Sequence, residues 1–471
     1  MDESPALSVA ADESKAEYIL SNVAEVVERI LTFVPTKSLL QMTCVCKLWR
    51  NCARRVLRVQ QNLTWVSAAG PSSCEGHALC HSLAGEIENV YILPKTVLVM
   101  VDSETFNRQE CCIKKKARRS HHGPDSVEEL NRLFPTGCDV VGVATPGIVL
   151  TPSGSHSGAP KEFQDGEAGY ALMFPRVEGV DIRPFHFCKN TISEANLVEA
   201  GLMNNTDLRV VLLFGYEAFK PGAARILNQV LEPLAHSKAL IAGGHVENVF
   251  SPKRHCCDRG SFGVVGLALS GPRIQGASVL LEQDVSSAKA AEATIQRLKA
   301  ANLPERNTIG FMFACVGRGH NFYNNQRNVE ADTFRKVFPN IPLFGFFGNG
   351  EIGCDRIVKE DYCLCDTDSD GLQHGYTTVM TLIHKQQTFS VVIGRAAASG
   401  VLVHREGAED SCSLHISPSR EHGPHSRASP SSAPWGVDLQ PQLNAWYSLD
   451  YSLTSSCAFK LATVHHEFSR V

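Results

Sequence analysis

From Tyr18 onward the apolar positions keep a helical period. Val23, Val26, Val27, Ile30, Leu31 and Val34 fall at i, i+3, i+4, i+7, i+8 and i+11, one stripe of an amphipathic helix. Asn22 is placed to cap it, and Pro35 to stop it. A second short helix is predicted through TKSLLQM, starting at Thr36 or Lys37, and a third repeats the spacing with Trp49, Cys52, Ala53, Val56 and Leu57. Before them, residues 1–16 are rich in Asp, Glu, Ser and Ala and read as a disordered leader. Three short helices make too small a core to stand alone, so their apolar faces need the rest of the chain or a partner.

After residue 60 the pattern changes to β-branched apolar runs: 96–101, 139–150, 170–174, 209–214, 238–244, 262–270, 277–283, 308–315, 341–347 and 376–383. Helical patterns at 125–134, 221–234, 286–300 and 330–338 separate some of them. The mixture predicts an α/β or α+β body with one large or two fused sheets. RVVLLFGY, a helix and ALIAGGHVENV echo TIGFMFACVGRG, a helix and LFGFFGNGEIG, which suggests a duplicated β-α-β element. Beyond about 386 the sheet pattern lapses. Residues 405–434 are rich in Ser, Pro and His, and the tail 386–471 is expected to be largely disordered.

Composition narrows the function classes. A net charge of −4 over 471 residues gives no global basic field, so direct nucleic-acid binding is not expected. The opening residues lack the charged-then-apolar order of a secretory signal, and no apolar run has membrane-spanning length. The 17 cysteines are therefore expected as reduced thiols in the cytoplasm or nucleus, with no membrane role. The run CCIKKKARRSHH is the one basic cluster; Lys114, Lys115, Lys116, Arg118 and Arg119 read as a nuclear-localisation candidate or as a solvated loop. Cys111, Cys112, His121 and His122 lack paired C-x-x-C spacing, as do His255, Cys256 and Cys257 and the pair Cys363 and Cys365, so no metal site is assigned.

Residues 17–65 resemble an F-box, the three-helix motif that docks on the Skp-type adaptor of cullin-RING ubiquitin ligases. The positions that carry the resemblance are Leu20, Val26, Ile30, Leu31, Pro35, Leu39, Leu40, Val45, Cys46, Trp49 and Arg50, while the usual Leu-Pro opening is Leu20-Ser21 here. TPGIVLTPSGS, RVVLLFGYE, ALIAGGHVEN, NTIGFMFACVGRG and PLFGFFGNGEIGCDRI are similar to the FIST domain, with an N-terminal part at 66–260 and a C-terminal part at 261–385. The resemblance implies a small three-helix F-box followed by a larger mixed α/β FIST domain. It implies a non-catalytic substrate receptor, without cofactor, that holds adaptor, cullin scaffold and RING subunit at one end. Protein substrates, including chromatin and transcription regulators, would be held at the other. Adaptor contact would fall to Leu20, Val26, Ile30, Leu31, Pro35, Leu39, Leu40, Val45 and Trp49.

Two rival readings stay open. One is a small-ligand-binding FIST sensor without ligase role, its pocket bordered by Gly243, Gly244, Cys315, Arg318, Gly348, Asn349 and Glu351. Against it stands tight-turn chemistry for the glycines, a packed core thiol for Cys315 and a surface position for Arg318. The other rival is a cysteine hydrolase pairing Cys315 with His320, which lacks an evident orienting carboxylate.

Overall fold

The computed structural model describes residues 15–70, 78–103, 133–135, 137–154, 158–164, 167–250, 261–359, 362–364 and 369–386, all within one compact unit. The basic run at 114–119, the cysteine–histidine clusters at 111–122 and 255–257, nearly all of the helix expected at 125–134 and the tail from 387 lie outside the described residues.

The amino-terminal stripe folds as expected, with different ends. Residues 15–22 are already helical, so two residues assigned to the leader are ordered. Val23 then takes an extended conformation, and α1 runs Ala24–Leu31. Asn22 does not cap α1: its Nδ2 donates to the Tyr18 carbonyl four residues back at 2.9 Å, which commits the side chain to the preceding turn. Pro35 does not stop α1 either. The helix ends at Leu31, and Pro35 stands before α2 (Thr36–Met42), where its missing N–H costs no helical bond. Helix α3 spans Lys47–Val59 and buries Cys52, Ala53, Val56 and Leu57. Among the described residues, no helix is long and apolar enough to cross a membrane.

The remainder is three topologically equivalent repeats, at 64–175, 181–270 and 274–385. The first holds β1 (Thr64–Gly70), α4 (Ala78–Glu88), β2 (Pro94–Asp102), β3 (Asp139–Thr145), β4 (Gly147–Leu150), β5 (Lys161–Phe163) and β6 (Glu167–Pro175). The second holds β7 (Asp181–Cys188), α5 (Glu194–Glu199), β8 (Leu208–Tyr216), α6 (Ala223–Ala235), β9 (Leu240–Val246), β10 (Asn248–Phe250) and β11 (Gly263–Ser270). The third holds β12 (Ile274–Leu281), α7 (Ala288–Gln296), β13 (Thr308–Cys315), α8 (Val329–Val337), β14 (Leu343–Gly348), β15 (Glu351–Gly353), β16 (Arg356–Lys359), β17 (Tyr362–Leu364), β18 (Gln373–His374) and β19 (Thr378–Lys385).

Each repeat has one parallel pair, β2/β3, β8/β9 or β13/β14, and a later strand returns antiparallel on the outer side of its first member. The second member then runs on into a neighbouring sheet. β3 continues as β4 beside β14, β14 continues as β15 beside β9, and β9 continues as β10 beside β3. The exchange is cyclic and yields three sheets, ordered β1-β6-β2-β3-β10, β18-β15-β9-β8-β11-β7 and β17-β16-β12-β19-β13-β14-β4-β5. The echo read between two β-α-β elements is present, and a third copy accompanies it. β11, beyond residue 260, belongs to the second repeat.

The inner faces of the three sheets meet in one apolar core, with Met100 and Val143 from the first, Leu212 and Phe214 from the second, and Phe311, Phe313 and Phe346 from the third. Phe313 lies 5.0 Å from Phe346 and 6.0 Å from Phe214, centroid to centroid. Helices cover the outer faces, α4 on the first sheet, α6 on the second, α7 and α8 on the third. Sheets covered on both sides need strands that are apolar throughout, which is why those strands read as unbroken apolar runs.

Candidate functional site

Among the nine candidate adaptor residues, burial separates two roles. Leu31, Leu39 and Leu40 are fully enclosed with Val27, Cys52 and Ala53, so they hold the helices together. Leu20, Ile30, Pro35 and Trp49 are half-buried, while Val26 and Val45 are exposed. Trp49 Nε1 donates to the Leu20 carbonyl at 2.9 Å, which ties the first helical turns to α3. The Arg55 guanidinium pairs with Glu28 across α1 and α3. The module rests on the repeats through Thr36 N–H to the Val90 carbonyl at 2.7 Å, Lys37 to Glu88 at 3.2 Å, and Lys385 Nζ to the Gln61 carbonyl.

This module carries an apolar surface that the structure leaves uncovered. Val26, Ile30 and Phe33 recur at i, i+4 and i+7 beside the inward stripe of Val27 and Leu31. Among the described residues, six of the eleven large exposed hydrophobics lie between residues 18 and 59: Tyr18, Ile19, Val26, Phe33 at 67%, Val45 at 56% and Val59 at 80%. Scattered singly, such residues are ordinary; here they are concentrated on one small unit.

The residues proposed for a FIST pocket divide into three groups. Gly243 and Gly244 lie inside β9 and do not form a turn. Gly243 has φ +154, and a Cβ there would drive into the Leu213 carbonyl of the parallel neighbour β8. Its structural counterpart is Gly345, at φ +152 against the Met312 carbonyl of β13. Gly348 and Asn349 sit where β14 crosses to the next sheet, and Asn349 N–H donates to the His245 carbonyl at 3.0 Å. Burial holds the His245 imidazole below its ordinary pKa.

Cys315, Thr377 and Glu351 form the second group. Cys315 N–H donates to the Thr377 carbonyl at 3.0 Å. The Glu351 carboxylate accepts from Thr377 N–H at 3.1 Å and its hydroxyl at 2.8 Å. Burial pushes the Glu351 carboxyl up to about 7 against the opposing pull of Thr377, Arg318 and Cys315. The exposed Tyr376 ring packs over Gly317 beside the Cys315 sulfur, and its backbone has φ +61, a strained conformation for a bulky residue.

Arg318 stands alone as the third, and it is a buried hub, neither surface charge nor exposed pocket cation. Its side chain and that of Glu330 are 0% and 1% exposed and pair at 3.0 Å. The remaining N–H groups donate to the Glu282 carbonyl (3.0 Å), the Tyr376 carbonyl (3.2 Å), the Val285 carbonyl (2.9 Å) and the Tyr323 hydroxyl (2.8 Å). All five donors are satisfied. Phe322 stacks on the guanidinium at 4.6 Å. Glu162 of β5 accepts the Ala331 N–H at the start of α8, and burial with the neighbouring Glu330 charge raises its carboxyl to about 8. His320, the expected partner of Cys315, bonds through its N–H and Nδ1 to Gln164. The sequence reading missed Glu330, Tyr323, Glu162 and Gln164, because nothing in local spacing links Arg318 to a carboxylate twelve residues on.

The comparisons follow this division. The F-box domain family matches residues 21–60 and the FIST C domain family residues 258–354. F-box only protein 22 of Homo sapiens is 53% identical over 383 residues, covering 79% of this chain and 95% of that one. The Pongo abelii protein of the same name is 52% identical over the same shares. A solved cyanuric acid hydrolase from A. caulinodans aligns at TM-score 0.32 and 9% identity, over 69% of this chain and 99% of that one, a likeness too slight to carry an argument. Apolar helices at one end, a three-repeat body at the other and identity over nearly the full length of these relatives lead to one assignment: the chain belongs to the F-box only protein 22 family.

Proposed function

We propose that this chain is the substrate-recognition subunit of a Skp–cullin–F-box ubiquitin ligase, directing regulatory proteins of the nucleus and cytoplasm to ubiquitination and proteasomal degradation. The observation that carries the reading is the uncovered apolar surface of the helical module, above all Phe33 and Val45, on a unit whose core is otherwise closed. A groove on a Skp-type adaptor would bury these side chains, each worth about 1.5–3 kcal/mol when fully covered. The adaptor connects to the cullin scaffold and RING subunit, and the three-repeat body holds the substrate. The chain performs no bond chemistry in this scheme. It keeps a substrate lysine near the charged ubiquitin carrier, so an encounter between separate molecules becomes nearly intramolecular.

The test is co-purification of the full chain with a Skp-type adaptor, wild type against Phe33→Asp/Val45→Asp. Both positions are exposed, so the variant should keep the wild-type melting temperature and lose the stoichiometric complex. An unchanged complex, or none with wild type, would sink the reading.

A further inference from the structure

Glu162 brings a second carboxyl to the Arg318 hub, which then has one cation for two acids. Glu330 Oε1 accepts from Arg318 Nε at 3.0 Å and from the Tyr323 hydroxyl at 2.6 Å. Its Oε2 is enclosed and meets no donor among the described residues. Glu162 Oε1 accepts the Ala331 N–H at 2.8 Å, on the peptide that joins Glu330 to Ala331. Among the described residues, Glu330 pairs with Arg318 and no cation pairs with Glu162. Two ionised carboxylates would leave a buried charge unanswered, which is costly. A proton on Glu162 removes that charge and supplies the donor that Glu330 Oε2 lacks.

The carboxyl sits on a segment whose hold depends on such contacts. β5 comes from the first repeat and forms the edge of the third sheet, paired with β4 alone. Away from that pairing, Glu162 N–H donates to Asn328 Oδ1 at 2.8 Å, and Gln164 Oε1 accepts the His320 N–H at 2.9 Å. With the Ala331 contact, these bonds bind β5 across the loop after β13 and the first turn of α8.

We propose that Glu162 and Glu330 share one proton at the start of α8 and that its loss releases β5, so that residues 158–164 form a pH-sensitive strap over the third repeat. The charged groups facing Glu162 are Glu330 and Asp332 of α8, with Arg318 and Tyr323 behind Glu330. β4 and β14 bring no titratable side chain. With the strap closed, burial first and the Glu330 charge second raise the carboxyl to about 8, against the pull of two backbone N–H groups; released into water, it returns to its ordinary 4.5. Closure is therefore strongest below 4.5 and weakens until the pH passes about 8. Over that window the open fraction gains about tenfold per pH unit, and above it the gain stops.

Hydrogen–deuterium exchange of the full chain, read by peptide mass spectrometry as protection factors corrected for intrinsic exchange, tests the strap. Protection of 161–164 should fall about tenfold per pH unit between about pH 6 and 8 and then level off, while α6 keeps its protection. Glu162→Gln preserves shape, has no proton to lose and can donate from its amide to Glu330 Oε2. Its protection at 161–164 should therefore stay level across the same range. A level profile in wild type would overturn the proposal without any variant. So would a slope that survives in Glu162→Gln, or a loss at α6 in step with β5, which would make the opening global.

Discussion

Replacing Arg318 with Met tests whether the buried hub organises the loop after β13. The substitution keeps length and apolar volume and deletes all five donors. Glu330 is then left in the interior without its counter-charge, which costs about 3–5 kcal/mol. The carbonyls of Glu282, Val285 and Tyr376 lose their donors, at about 1 kcal/mol each. The total of about 6–8 kcal/mol rivals the whole stability of an ordinary domain. At about 2–4 °C per kcal/mol, the melting temperature should fall by roughly 12–32 °C. Much of this loss is electrostatic, so Arg318→Met/Glu330→Met should be more stable than Arg318→Met alone by about 2–3 kcal/mol. Thermal melts of wild type, both single variants and the double variant close the cycle. A drop of only a few degrees for Arg318→Met, or additive single effects, would refute the assignment of Arg318 as the hub.

Two further outcomes follow from glycine geometry and from pH. Gly243→Ala and Gly345→Ala should abolish soluble protein, because each Cβ meets a backbone carbonyl at positive φ, whereas Gly85→Ala in α4 meets nothing and should stabilise by about 0.5–1 kcal/mol in urea melts. Glu351 holds its proton more tightly folded than unfolded, so its contribution is complete below about 4.5 and is lost as pH rises through about 7. Glu351→Gln should therefore flatten the decline of melting temperature between these values, by no more than about 3 kcal/mol; an unaltered slope would contradict it.

Local pattern made the helical module and the inner strands readable, since both depend on periods of neighbouring residues. The ten apolar runs became strands, and the helices at 221–234, 286–300 and 330–338 formed close to their expected limits. The short strands β5, β10 and β15 were not foreseen; three residues carry no period, and their existence depends on a neighbour elsewhere in the chain. The third repeat unit stayed hidden for a related reason, because β2 and β3 lack the paired glycines that made the other two look alike. Site residues were found where a glycine or cysteine drew notice and missed where burial alone defined them, as with Glu330 and Tyr323.

The cyclic strand exchange also bears on how the chain is made. β4 emerges from synthesis at residues 147–150 but pairs with β14 at 343–348. Roughly 200 residues must still be polymerised, which at ~5–20 residues per second takes on the order of 10–40 s. β3 likewise waits for β10, and β9 for β15. The first sheet waits for the second repeat and the other two sheets for the last, so apolar edges stay open through most of translation. The chain is thus, while it is being built, a ready client for the chaperones that shield unfinished sheets.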